Sequence, residues 1–420
     1  MRHLLLAVSL ILSPCLYAEK LRLVKPKSVG FSAERLLYVN RFAQNNIESG
    51  KHAGMVTMIA RHGEIAHFEA HGTQGIDDDR PMKKDSLFRI FSMTKPVTAV
   101  AAMMLYEEGA FQLNDSISKY LPEFAGISVH GADTSESHPA TVTVEQLLTH
   151  TAGLSYGWHP ADPVDTMYRD AKIWESRDLD DFIERLSKIP LRYEPGTRYH
   201  YSVSFDVVGA LIERWSGMTL EEFFAQRIFG PLGMEDTFFN VPKAKLDRLA
   251  SNHTWNAEKE EIQTLPPSAN PPAVNVTLFS GGGGLISSAM DYMKFCEMLR
   301  RGGSFNGARL LGPKTIQHMT TNHLPPSTRN FGATEHPDSH LYPGQDFGLG
   351  FGVITQPGFS QVISSAGEYS WGGAADTKFW IDPEEDLVAI VMTQLMNSPW
   401  PTRYQMKVAT YQALTTLGKR

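Results

Sequence analysis

From Ser32 onward the apolar positions Leu36, Val39, Phe42 and Ile47 recur at helical spacing and stop at Gly50. This pattern predicts an amphipathic helix with the serine as its cap. Met55 to Ala60, the turn Arg61-His62-Gly63 and Glu64 to Phe68 then predict a hairpin that opens an antiparallel sheet. Between Thr94 and Glu108 the chain is apolar on every face, with Gly109 as a stop, so this helix is expected to be buried on all sides. Residues 113–280 mix helical patterns (144–150, 179–187, 205–216 and 220–228) with Pro- and Gly-rich loops, and read as an inserted, mainly helical domain. Sheet signals return at 350–355, 377–381 and 387–392, followed by an amphipathic helix over 403–417. Residues 19–112 and 281–420 are therefore expected to build one sheet domain around the insert, an α+β fold.

Composition narrows the function classes. The 420 residues are 42% hydrophobic and 20% charged, enough apolar side chain for a packed core. Net charge is −7 with no Lys/Arg run, so neither nucleic acid nor an anionic membrane is an expected partner, and a small ligand is. Arg2 and His3 precede an apolar run from Leu4 to Leu12, and Leu16-Tyr17-Ala18 follows it, which reads as a signal peptide over residues 1–18 and a periplasmic or secreted protein. Cleavage there would leave Cys296 as the only cysteine, hence no disulfide. Lipidation at Cys15 is the weaker reading, because Pro14 stands where such signals carry a small residue. No later segment approaches eighteen continuous apolar residues, so no membrane anchor is expected after signal removal.

Three serines compete for a nucleophile's role. Gly153-Leu154-Ser155-Tyr156-Gly157 matches the nucleophile-elbow pattern, but that motif needs a strand before it and a helix after it, and here a helix precedes and a loop follows. Ser116 and Lys119 share a Ser-x-x-Lys spacing in a short segment that Pro122 interrupts, which reads as a solvated turn. Ser92 and Lys95 have the same spacing at the start of the most buried helix. There backbone N–H groups favour developing negative charge, and the lone cation of an apolar helix is suited to take a hydroxyl proton. His67 and His71, four apart near a strand end, read as solvated histidines rather than ligands, and no metal or cofactor is expected. Gly281 to Gly284 lacks the Lys-Ser/Thr ending of a phosphate loop and reads as a flexible turn.

Phe91-Ser92-Met93-Thr94-Lys95-Pro96 resembles the nucleophile motif of the serine β-lactamase and penicillin-binding-protein superfamily. Leu147 to Leu154, Glu194-Pro195-Gly196-Thr197 with Tyr199-His200-Tyr201-Ser202, Pro231 to Met234 and Gly281 to Leu285 add matches in order over about residues 30 to 395. The likeness is nearest to the class C β-lactamase-like branch, which includes the family VIII carboxylesterases. It implies a β-lactamase-like fold, an antiparallel sheet flanked by helices, and an acyl-enzyme on Ser92 with Lys95 as its proton partner. It also implies Tyr201 as the catalytic tyrosine, with Tyr199 and Tyr193 as understudies. The family's Tyr-x-Asn triplet becomes Tyr201-Ser202-Val203; the literal copy Tyr38-Val39-Asn40 sits in the first surface helix and is a coincidence.

In penicillin-recognising members a Lys-Thr-Gly triplet lies on an edge strand, and Trp371-Gly372-Gly373 takes its place here. The resemblance assigns the oxyanion hole to the N–H groups of Ser92 and Ala374, where losing one donor costs roughly 3 to 4 kcal/mol. A charge-assisted hydrogen bond to a substrate carboxylate is worth about 1.5 to 3 kcal/mol. Replacing that lysine by Trp371 is thus expected to weaken preference for anionic substrates, and Val203 cannot donate to a penicillin side-chain amide. The expected substrates are short acyl or aryl esters. A D-amino-acid-type peptidase, a carboxypeptidase or a weak β-lactamase is the alternative, and an inactive module that binds cell-wall fragments the minor one.

Overall fold

A computed structural model describes residues 20–131, 138–328 and 341–418. The expected signal peptide, with Cys15, lies outside the described residues. Helix α1 (Ala33–Glu48) begins where the Ser32 side chain accepts from the Arg35 N–H at 3.2 Å. Strands β1 (Gly54–Arg61) and β2 (Glu64–Gly75) form the expected hairpin, and β2 runs past Phe68 to pair with β3 (Asp78–Pro81). Later in the chain come β4 (Gln345–Phe347), β5 (Gly352–Ile354), β6 (Tyr369–Gly372), β7 (Lys378–Asp382) and β8 (Leu387–Met392). All eight join one antiparallel sheet in the order β4-β5-β6-β7-β8-β1-β2-β3.

Both faces of this sheet are covered. On one, Met55, Ile59, Trp380, Ala389 and Val391 pack with Leu36 and Val39 of α1 and with Met406 and Ala409 of α7 (Thr402–Tyr411). On the other, Val56, Met58, Phe379, Val388 and Ile390 join a larger core that continues into the helices of the middle of the chain. A strand buried on both faces has no polar side, which is why β1 reads as an apolar run interrupted only by Thr57 before it ends at Arg61. Helix α2 (Thr94–Glu107) runs through the larger core with every residue from Thr94 to Leu105 buried. It packs on α5 (Ser204–Ser216), beside α3 (Val144–Leu148) and α4 (Leu179–Leu186), while α6 (Ala289–Arg300) packs on β8.

Several expectations are corrected. Helix α7 stops at Tyr411 rather than 417, because the chain turns to bond the segment before α1: the Ser32 N–H donates to Ala413 O at 2.8 Å and the Thr415 N–H to Gly30 O at 2.8 Å. His67 and His71 lie inside β2, and His67 is buried rather than solvated, its Nε2 2.8 Å from Thr57 Oγ1. His71 Nε2 is 3.3 Å from Asn40 Oδ1. Lys119 is exposed and paired with Asp115, as a solvated turn requires. Cys296 is a free, buried thiol.

Candidate active site

Ser92 sits in the one-turn 3₁₀ segment Phe91–Met93 that feeds α2. Phe91 is held in the left-handed region at φ 44°, a conformation that costs a non-glycine residue energy and persists only where its surroundings impose it. The turn brings Ser92 onto the wall of a cavity of about 610 Å³ while α2 carries Lys95 beneath it. Lys95 is fully buried and all three of its N–H bonds are used: Nζ donates to Ser92 Oγ at 3.2 Å, to Tyr156 Oη at 2.9 Å and to Gly282 O at 2.6 Å.

The turn 281–284 is therefore tied down, not flexible. Asp206, on α5, accepts from the Ser280 hydroxyl at 2.5 Å and from the Gly282 N–H at 3.1 Å, and the Thr98 hydroxyl donates to Gly281 O at 2.7 Å. A Cβ at Gly282 would lie 2.5 Å from Asp206 Oδ2, so only glycine lets the carboxylate approach. Burial pushes the Asp206 carboxyl up, while the Lys95 charge and the two donors act to hold it down.

The tyrosines divide differently from the expectation. Tyr201, expected to serve Ser92 directly, offers its ring face to Lys95 Nζ, 4.6 Å from the centroid. The hydroxyl against Lys95 belongs to Tyr156, which is also hydrogen-bonded to Tyr201. Burial first, then the neighbouring Tyr201 and Asp206, raises the Tyr156 phenol well above its ordinary range, so it keeps its proton. Tyr156 lies within the Gly153-to-Gly157 motif considered for Ser155. Its only signal in the sequence is its place two residues after the Leu147-to-Leu154 segment that carries the family likeness. Ser155 itself is buried away from the cavity, its Oγ 3.3 Å from His200 Nε2. Tyr199 is buried and Tyr193 lies elsewhere; neither lines the cavity.

Trp371 is buried against Tyr201 and Phe347, at ring-centroid distances of 5.7 and 5.0 Å, and forms one wall. Its strand, β6, is not a sheet edge, since β5 and β7 flank it. But β5 pairs only with Tyr369 and Ser370, so Trp371, Gly372 and Gly373 project beyond it with one side open. A Cβ on Gly373 would stand 2.3 Å from Ile90 O, which measures how closely this strand passes the segment leading to Ser92. Ala374 follows on the cavity wall, and the N–H groups of Ser92 and Ala374 have no protein acceptor among the described residues. Val203, expected to contact substrate, does not: as the residue before α5 it is fully buried, its N–H donating to Ser155 O at 3.3 Å. Tyr38 to Asn40 lies in α1, remote from the cavity. At the mouth, the rings of Tyr156 and Trp158 stack at 4.3 Å, and Trp174 continues the stack.

Residues 39–411 match the Beta-lactamase family model. The chain belongs to the β-lactamase family. Within it, the chain is 30% identical over 359 residues to esterase EstB of Burkholderia gladioli, covering 81% of this chain and 85% of that protein. It is 27% identical to the lovastatin esterase of Penicillium rubens, covering 83% and 90%. Among solved structures, EstCE1, a hydrolase with promiscuous acyltransferase activity, superposes with a TM-score of 0.77 at 27% identity, over 90% of this chain and 99% of that one. This β-lactamase-family protein is thus a serine hydrolase with the family's antiparallel sheet and flanking helices.

Proposed function

We propose that this family member is a carboxylesterase that passes the acyl group of an ester through Ser92. The observation that carries the reading is the Ser92–Lys95–Tyr156 hydrogen-bonded chain opening into a cavity walled by Trp371. Once Lys95 is the neutral amine, two N–H bonds remain on Gly282 O and Tyr156 Oη, and its lone pair faces Ser92 Oγ. Ser92 Oγ gives up its proton to that chain and attacks the ester carbonyl, and the N–H groups of Ser92 and Ala374 receive the oxyanion. The C–O bond to the alcohol then breaks as the proton returns to the alkoxide. Water repeats the attack on the acyl-enzyme, releasing the acid and restoring Ser92. Esterase relatives support this choice over amide cleavage, and so does an aromatic wall where penicillin-recognising members carry a lysine. A cavity of this size accommodates the expected short acyl or aryl esters and has room for larger ones.

Specificity constants on p-nitrophenyl butyrate, nitrocefin and a D-Ala-D-Ala peptide test the proposal. The ester is expected to lead, and Ser92→Ala is expected to abolish both its hydrolysis and fluorophosphonate labelling of the Ser92 peptide. A lead for nitrocefin or the peptide would overturn the esterase assignment.

A further inference from the structure

The cavity does not end at Trp371. It continues over Gly372 and Gly373 to reach two cations, Lys378 and Arg403, on the side of the sheet covered by α7. Lys378 pairs directly with Gly372 across β6 and β7, so a position without a side chain faces it and leaves its ammonium a path to the cavity. Gly372 also makes room for Arg403: a Cβ there would lie 3.0 Å from the guanidinium carbon.

The charges in this corner are unevenly matched. Arg403 Nε is 3.1 Å from Asp376 Oδ1, and its Nη2 donates to Gly373 O. Lys407 is 2.6 Å from Glu368 Oε1. Lys378 donates only to the Ser370 hydroxyl, at 3.0 Å, and has no carboxylate partner among the described residues. Burial, then repulsion from Arg403 and Lys407, pushes its ammonium down to about 7, and the smaller pull of Glu368, already paired with Lys407, does not offset them. A half-buried lysine costs less once an acceptor with negative charge meets it.

We propose that Lys378, supported by Arg403, forms a carboxylate subsite, and that the natural substrate is an ester bearing a free carboxylate away from the scissile bond. The cation missing from the Trp371 position is thus replaced by one on the neighbouring strand, which reverses the expectation of a preference for neutral substrates. The inference rests on the esterase reading for its chemistry, but the subsite itself can be tested without turnover.

Two probe pairs separate an acid on the acyl side from one on the leaving group: mono-(4-nitrophenyl) glutarate against 4-nitrophenyl pentanoate, and 4-butyryloxybenzoate against its methyl ester. For at least one pair the acidic member is expected to have the higher kcat/KM. In Lys378→Gln that acid-to-neutral ratio is expected to fall at least tenfold, while Lys378→Arg keeps most of it. Equal ratios in wild type and Lys378→Gln, or a wild type that prefers the neutral member of both pairs, would overturn the subsite. If neither member of either pair is turned over, the esterase reading fails, and calorimetric titration with glutarate judges the subsite alone. Binding at least tenfold weaker to Lys378→Gln than to wild type supports it, and equal binding or none overturns it.

Discussion

Lys95 has three hydrogens and three acceptors, and one of those acceptors is a tyrosine that motif matching does not select. With Tyr156 on Lys95 and Tyr201 bonded to Tyr156, the two phenols are expected to act as one relay. Tyr156→Phe should therefore lower kcat by about a hundredfold or more, the range that general acid–base groups supply. Residues acting as a unit are not additive. The double variant Tyr156→Phe/Tyr201→Phe should accordingly be no slower than the slower single variant. Measured kcat values that multiply would show two independent roles. Ser92 and Lys95 were legible because their spacing and the apolarity of α2 are local properties. Tyr156 was not, because what makes it important is a contact 61 positions away in the chain. Val203 shows the converse: it occupies the matching motif position, but its backbone serves the start of α5 and its side chain turns into the core.

At the scale of elements, the hairpin β1–β2 and helices α1 and α2 could be read from periodicity, since each is long enough to show its pattern. Strand β6 could not. It is four residues long between Gly367 and Gly373, and its meaning lies in what it approaches. Its close passage by Ile90 leaves no room for a side chain at Gly373, next to the segment that leads to Ser92. Gly373→Ala would force a methyl group against Ile90 O and Thr377 Oγ1, both 2.3 Å from its ideal Cβ, and must displace either the strand or the Ser92 segment. A loss of about 10² to 10³ in kcat is expected, comparable to removing one oxyanion donor. Gly358→Ala, where a Cβ meets nothing within 4 Å, is the control. Equal kcat values for the two variants would show that the strand's approach does not set the donor's position.

Over the whole molecule, the apolar runs and the helical middle announce an antiparallel sheet flanked by helices. They do not announce which polar groups the sheet buries, because burial depends on the register of β1 on β2 and on α1 above them. His67 is such a group. Burial, with smaller contributions from His71 and Lys84, holds its imidazole down to about 4 against an ordinary 6.5. The folded state thus resists a proton that the unfolded chain accepts between those two values. Stability from this residue is complete above about pH 6.5 and is lost as pH falls toward 4. At about 1.4 kcal/mol per pH unit the full effect is at most roughly 3 kcal/mol. Urea midpoints at pH 4.5, 5.5, 6.5 and 7.5 should rise steeply across this window in the wild type and more shallowly in His67→Gln. The lost Thr57 contact shifts the variant's stability at every pH, so the slope and not the midpoint is the readout. Parallel slopes would place the acid sensitivity of the fold elsewhere than under α1.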